Sequence, residues 1–521
     1  MQAVAQSTTS LLPDADLLPS WTFRLRGLSA WTRADELLGT GGPVPRNIAF
    51  PLATDSLTPQ RVPSFAPIEQ QIRTTSGLPT FRLTAGNIVA LADSRVVTAP
   101  MILEYGVASR VTIGVVVPIV ETRTTLFSQL NPKIGAATVG PNPALLPASA
   151  ALNQNATLVQ SFRTAGTALQ TKLTQCQATP ADTTCTAILG QQAAVTALIQ
   201  NSGTFANGLE ALYGTDRTTH PGMSYVPIDL STAQAAINTK ITGFATQYKT
   251  FLGTDAITGK VVPAAGPAAQ LDLEALFRSV GYDTLTSTDH TSIGDVSVGM
   301  SVQLINTYGD TTAAGQGTPH MRLAVNGTYR FATGQVANPN RLFDISTGVG
   351  VPGVILSGAA DLQYGRLSAT GTGSYTMQLG TMNVARVPSA SNAIFPLIPA
   401  VPGTYQPGNV IEISVVPRYR LAGYLALTGQ YSLIETMADT YTIPGLPSDV
   451  LVPTPPFGIA SWTAQQVGVG FTYSSIVRSN RAPGVMPFEV NFSHLETITG
   501  NGGPFNKSFR DQIELRIYWK P

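Results

Sequence analysis

Four histidines, His220, His290, His320 and His494, are the chain's candidates for proton transfer and metal binding. They stand isolated, with no HExxH, no paired histidine and no CxxC, so the spacing that builds a metal site is missing. Ser493-His494 sets a hydroxyl beside an imidazole. In an extended segment neighbouring side chains point to opposite faces, so the two cannot act as nucleophile and base. No GxSxG elbow occurs. Gly348-Val349-Gly350-Val351-Pro352-Gly353 matches the glycine spacing of a dinucleotide fingerprint. That motif needs a following helix whose N-terminus takes the pyrophosphate. Here a strand-like stretch follows and Pro352 interrupts the pattern, so the glycines read as a turn or bulge. No enzyme activity, cofactor or metal is expected.

Cys176 and Cys185 are the two cysteines. They flank a short polar segment, residues 177–184, inside a stretch that otherwise reads as helix. Two cysteines across one turn fit a local disulfide formed in an oxidising compartment, with two free thiols as the other reading. Ala3-Val4-Ala5 before Gln6 resembles the small-residue end of a secretory signal, so residues 1–19 are read as an N-terminal segment carrying that remnant.

What remains are charges, and they are few. Charged residues make up 12% of 521, against roughly 25% in a typical soluble domain. A net charge of +1 removes the case for a nucleic-acid partner. No stretch approaches the roughly 18 apolar residues that a spanning helix needs. What the charges can do depends on the elements that carry them.

Those elements alternate. Val296, Val298, Met300, Val302 and Leu304 interleave with Ser297, Gly299, Ser301 and Gln303. The same pattern holds for Met321, Leu323, Val325 and Tyr329, for Ile411, Ile413 and Val415, and for Ile513, Leu515, Ile517 and Trp519. Period two over such lengths is strand. A soluble sandwich would alternate too, so length and chemistry must decide. The strands reach about ten residues or more, enough to cross a bilayer on a tilt. Their polar face is mostly Gly, Ser, Thr and Gln, and aromatics gather near strand ends, as in a wet barrel with interfacial girdles. The expected fold is an all-β transmembrane antiparallel β-barrel with a large α-helical insertion.

Counting back from a descending C-terminal strand places strands at 20–33, 80–107, 110–123, 292–306, 319–332, 353–364, 366–379, 409–421, 424–436, 461–475, 485–496 and 507–519. That is about twelve, an even number as single-chain barrels have. Fourteen is the alternative, because 80–107 is long for one strand and holds Asp93-Ser94 and Pro100. In this count every short turn falls on one side and every long connection on the other. Residues 20–123 carry the first strands and a long loop, 124–291 the insertion, and 292–521 the remaining strands. Within the insertion, Leu158, Phe162, Ala165, Leu169, Leu173 and Cys176 share a helical face, as do Ile237, Ile241, Phe244, Tyr248 and Phe251.

Twelve charged residues then fall on the polar face: Arg24, Arg26, Glu104, Arg322, Arg330, Asp361, Glu412, Arg418, Arg420, Glu489, Glu514 and Arg516. They are the expected pore-lining set. Inside a pore they would set a transverse field and select by charge. Alternatively they form a salt-bridge network that fills a narrow lumen.

Leu103-Glu104-Tyr105-Gly106-Val107-Ala108-Ser109-Arg110-Val111-Thr112-Ile113-Gly114, Gly294-Asp295-Val296-Ser297-Val298-Gly299 and Phe343-Asp344-Ile345-Ser346-Thr347-Gly348 carry a resemblance. With them the chain resembles the outer-membrane porin-like transporters found with phenol meta-cleavage pathways, over residues 80–123 and 292–521. The helical insertion departs from that group. The resemblance implies passive uptake of small, hydrophobic or aromatic molecules across the outer membrane of a Gram-negative-type bacterium.

The expected function is therefore an outer-membrane pore or passive transporter. Its partners would be outer-membrane lipid and a small-molecule cargo, with a homo-oligomer left open. The rival is a membrane-anchored surface binding or adhesion protein in which the insertion is the working part.

Overall fold

Alternation becomes strand wherever it runs. In the computed structural model the described residues are 14–39, 44–133, 135–147, 149–279, 281–283, 285–308, 319–385, 402–442, 460–476 and 486–520. Ala3, Val4, Ala5 and Gln6, read above as a signal remnant, lie outside them. Twelve strands among the described residues form the barrel: β1 Phe23–Leu38, β2 Ile88–Ala108, β3 Val111–Leu130, β4 Ser297–Asn306, β5 His320–Arg330 and β6 Gly353–Tyr364. They continue as β7 Leu367–Gln378, β8 Val410–Ala422, β9 Leu425–Thr436, β10 Trp462–Ser474, β11 Phe488–Gly502 and β12 Phe505–Trp519. Each neighbours the next in sequence order, and β12 returns to β1. Phe23 stands opposite Trp519 and Leu38 opposite Phe505, so the sheet closes on itself. Closure removes both edges, which is what lets strands stand in lipid without orphaned backbone groups.

The fourteen-strand alternative resolves simply. Two short strands, Arg46–Asn47 on β1 and Thr288–Ile293 on β3, join the sheet without closing the barrel. The long stretch near Pro100 is one strand of 21 residues, not two. Proline cannot donate to the ladder. The register with β1 accordingly skips it, running from Gly27 opposite Met101 to Ala30 opposite Thr98.

Two expectations need correction. The turn between β11 and β12 is only Gly503-Pro504, yet it sits at the end of the barrel that holds the long connections. On the opposite end, the β4–β5 and β10–β11 links are longer than tight turns. Short and long connections therefore do not sort perfectly by side. The Pro/Ser/Thr-rich stretch between β1 and β2 also holds structure that it did not announce: helix α1, Ala66–Ser76, with Ile68 and Ile72 buried.

The chain divides into two compact units. One is Met1–Pro51, Ala90–Phe127 and Phe277–Pro521, the barrel. The other is Leu52–Val89 with Ser128–Leu276, so the helical unit draws on two separate stretches of chain rather than on the 124–291 insertion alone. Within it, α2 Ala151–Ala178, α3 Thr186–Leu189, α4 Gln192–Tyr213 and α5 Thr232–Leu252 follow α1, and α6 Gln270–Ser279 lies at its boundary. The α2 stripe Leu158, Phe162, Ala165, Leu169 and Leu173 is buried as its spacing requires. Phe162, Phe205 and Phe244 meet ring to ring, with centroids 5.4–6.0 Å apart. Ser231 caps α5 by accepting from the Gln234 amide. Cys176 and Cys185 are joined in a disulfide across the α2–α3 turn, and both are buried in the core of this unit.

A separate three-stranded sheet, Met382–Val384, Gly403–Gln406 and Thr440–Thr442, is built from the β7–β8 and β9–β10 connections.

Candidate functional site

The two faces of the barrel wall differ in chemistry. Val298, Val325, Leu356, Ile413, Leu427, Val469 and Leu515, on seven strands, are 39–67% exposed on the outer face. Trp21, Phe23, Tyr105 and Trp519 pack together at one rim, with ring centroids 4.7–6.2 Å apart. Tyr473 continues that rim between Tyr424 and Phe488. An apolar outer band edged by aromatics would be a severe liability in water and is what hydrocarbon requires. The chain is an outer-membrane-type transmembrane β-barrel. Closed antiparallel barrels of even strand number whose outer face carries an apolar band edged by aromatics are those of the outer membrane of Gram-negative-type envelopes.

The functional question therefore lies inside. All twelve charged residues singled out above sit at strand positions of inward parity, but the structure gives them different tasks. Five of them form one network with Asp14. Register sets Arg24 opposite Glu104, and its fork grips both carboxylate oxygens, Nε–Oε2 at 2.5 Å and Nη2–Oε1 at 2.9 Å. Register also sets Arg26 opposite Arg516, a like-charge pair that would repel if bare. Glu514 separates them, 2.8 Å from Arg26 and 3.0 Å from Arg516. Asp14 completes the set, 3.1 Å from Arg24 and 3.0 Å from Arg516. Three cations face three anions, and Arg24 and Arg26 are almost wholly buried.

Asp14 belongs to no strand. It begins a short segment, residues 14–19, that runs inside the barrel and is held from five strands. Asp16 pairs with Arg322 at 2.9 Å, and its carbonyl accepts from Arg24 on β1. The Gln303 amide donates to the Ala15 carbonyl, and the Leu18 amide donates to the Thr112 hydroxyl. Arg516 on β12 holds Asp14. The segment enters over Gly106, where a Cβ would stand 2.2 Å from the Pro19 carbonyl oxygen. Only glycine leaves room for that crossing.

The remaining members of the set stand apart. Arg330, at the end of β5, pairs with Asp295 at 3.6 Å and hydrogen-bonds Gln378. Asp295 in turn accepts from the amides of Gly334 and Val349, so this cluster braces the β5–β6 connection. Glu489 accepts from the Tyr518 hydroxyl at 2.9 Å, and Asp361 from the Thr370 hydroxyl at 2.7 Å. Glu412, Arg418 and Arg420 make no ion pair of 4 Å or less among the described residues. Between them the inner face carries Ser357, Thr372, Ser374, Ser414, Gln430, Ser432 and Gln466. One side of the lumen is thus packed with ion pairs and chain. The other is walled by small hydroxyls and amides, with Asp361, Glu412, Arg418 and Arg420 set among them.

Sequence reasoning missed Asp14, Asp16 and Gly106 as site residues. The acid pair lay in a stretch read as a processed terminus, and Gly106 lay near the end of the expected strand 80–107, where nothing in the sequence announced a crossing chain. Tyr308 was also missed; its ring lies under the Arg322 guanidinium, 4.0 Å from centroid to Cζ.

No protein-family model matches the chain, and no curated protein does. Among solved structures it aligns with an outer membrane channel from Pseudomonas putida F1 at 8% identity, over 97% of this chain and 98% of that one, with a TM-score of 0.40. It aligns with the Pseudomonas putida toluene transporter TodX at 11% identity, over 96% and 90%, with a TM-score of 0.23. A Pseudomonas aeruginosa FadL homologue aligns at 8% identity over 96% and 90%, with a TM-score of 0.27. Alignments this loose fix no cargo, and the barrel stands on its own geometry.

Proposed function

We propose that the protein is a passive outer-membrane transporter for small, hydrophobic or aromatic molecules, with residues 14–19 restricting passage through its lumen. The observation that carries this reading is the segment itself. A non-strand piece of chain lies inside a closed barrel, held by side-chain ion pairs and hydrogen bonds rather than by a ladder. The wall opposite offers hydroxyls and amides, which wet a path, with the charges of Asp361, Glu412, Arg418 and Arg420 set among them. The charged members of the inner set serve two roles: the Arg24–Glu104–Arg26–Glu514–Arg516–Asp14 network fills space, and Asp361, Glu412, Arg418 and Arg420 line what remains. The choice of an apolar cargo rests on the resemblance carried by residues 103–114, 294–299 and 343–348.

Uptake of a radiolabelled small aromatic solute by intact cells tests this reading. Cells producing the protein should take it up faster than cells without it. Gly106→Val, which crowds the entering segment, should raise the rate further. Equal initial rates with and without the protein would overturn the proposal. A second reading, a surface-binding protein anchored by the barrel, draws support from the self-contained core of the helical unit. It predicts ligand capture by that unit with no change in uptake.

A further inference from the structure

The outer face of the barrel is not apolar along its whole length. On β1 the outward residues from the aromatic rim are Phe23, Leu25, Gly27, Ser29 and Trp31, and then Arg33. On β2, Tyr105, Leu103, Met101, Ala99 and Val97 lead to Arg95 and Asp93. On β3, Ile113, Val115, Val117 and Ile119 lead to Glu121 and Arg123. On β12, the run from Trp519 to Ile513 ends at Asp511. Four adjacent strands change from apolar to charged at one height. From Phe23 to Trp31 is about 20 Å along the membrane normal at the usual strand rise and tilt, close to the roughly 25 Å of an apolar barrel band.

At that height the wall has a depression of about 440 Å³, lined among others by Trp31, Arg33, Arg95, Arg123 and Phe509. Its charges are unevenly paired. Arg33 holds Asp93 at 2.6 Å, and Asp511 is engaged by His494 at 2.7 Å. Arg95 stands directly opposite Arg33 in the ladder, where like charges repel. Inside the barrel the comparable Arg26–Arg516 pair has Glu514 between its members. Outside, the carboxylate beside the pair, Asp93, is taken by Arg33 alone, and neither Arg95 nor Arg123 makes an ion pair of 4 Å or less among the described residues. Asp289 lies opposite Arg123 in the ladder but does not reach it.

We propose that Arg33, Arg95 and Arg123 form a binding site for the phosphate group of a glycolipid in the outer leaflet. Guanidinium forks match phosphate oxygens, and the anion would separate the opposed arginines as Glu514 does inside. The acyl chains would lie along the apolar strand faces below, and Trp31 would sit at the headgroup boundary. The site depends on the barrel being in the membrane and on the long-connection end facing outward; it does not depend on transport.

Native mass spectrometry of the detergent-solubilised protein tests it. The probes are bis-phosphorylated lipid A, its dephosphorylated form, phosphatidylethanolamine and inorganic phosphate. The wild type should hold the bis-phosphorylated lipid about tenfold more tightly than the dephosphorylated form. Arg95→Gln with Arg123→Gln should erase that difference, while Arg95→Lys with Arg123→Lys keeps part of it. Equal affinity for the phosphorylated and dephosphorylated lipids would overturn the proposal, and this comparison needs the wild type alone should the double variant fail to insert. An unchanged preference in the inserted Gln variant would overturn it too. Inorganic phosphate binding as tightly as the lipid would overturn the lipid assignment.

Discussion

Arg24 is the residue on which the lumen network turns, because its single fork holds Glu104, Asp14 and the Asp16 carbonyl at once. Removing one partner of a buried ion pair costs roughly 3–5 kcal/mol, since the others stay buried and uncompensated. Arg24→Ala should therefore lower the urea midpoint of the liposome-inserted barrel, and Arg24→Lys should recover only part of it because lysine lacks the fork. An unchanged midpoint for Arg24→Ala would show that water fills the gap freely. A second residue sets a pH response away from the membrane span. Burial pushes the Asp439 carboxyl up to about 6, against the pull of the Gly408 amide and the Tyr405 hydroxyl. An unfolded Asp titrates near 3.9. Between about pH 4 and 6 the folded loop sheet thus keeps a proton that the unfolded chain has lost. Its stability is greatest below that window and falls as pH rises through it. Amide exchange at Gly408 and Tyr441, corrected for intrinsic rate, should slow on going from pH 7 to pH 5. Asp439→Asn should flatten the difference; equal protection at both pH values in the wild type would contradict this.

At the scale of elements, the outward and inward faces of each strand make opposite demands. An arginine at Val298, Val325 or Val469 would face lipid, where it costs about 2–4 kcal/mol near the midplane. One at Thr372 or Ser374 would face the lumen. The first set should sharply reduce the heat-modifiable, membrane-inserted fraction and the second should not; equal yields for both would contradict the barrel's orientation. This face assignment was legible in the sequence because period two records which side each residue serves. All twelve strands could be placed from it. What could not be read was whatever has no period. Residues 14–19 form no regular element, and apart from Arg24 the partners that reveal their place, Thr112, Gln303, Arg322 and Arg516, lie far away in sequence. Helix α1 was hidden because its eleven residues lie among prolines and threonines and its apolar face is narrow, with Ile68 and Ile72 at its centre. The strand through Pro100 looked broken because propensity speaks for one residue, whereas a closed barrel tolerates one missing ladder bond.

For the whole molecule, the helical unit is built from two stretches of chain that are distant in sequence. Leu52, Leu57, Phe65 and Ile72 are buried in it, and the Lys240 ammonium donates to the Thr75 carbonyl from α5. Replacing residues 131–275 alone with a short Gly/Ser linker would strip α1 of α4 and α5 and leave its apolar face bare. That variant should aggregate or be proteolysed. Replacing residues 52–86 as well should restore a heat-modifiable barrel. If the single excision behaves as well as the double one, the two stretches do not depend on each other. A passive transporter restricted by residues 14–19 must conduct, and must conduct more without them. Planar-bilayer recordings should compare the purified wild type with a variant lacking residues 1–19. The wild type should show small or infrequent unitary steps and the variant stable steps several-fold larger. Silence from both, with both shown to be inserted, would contradict this.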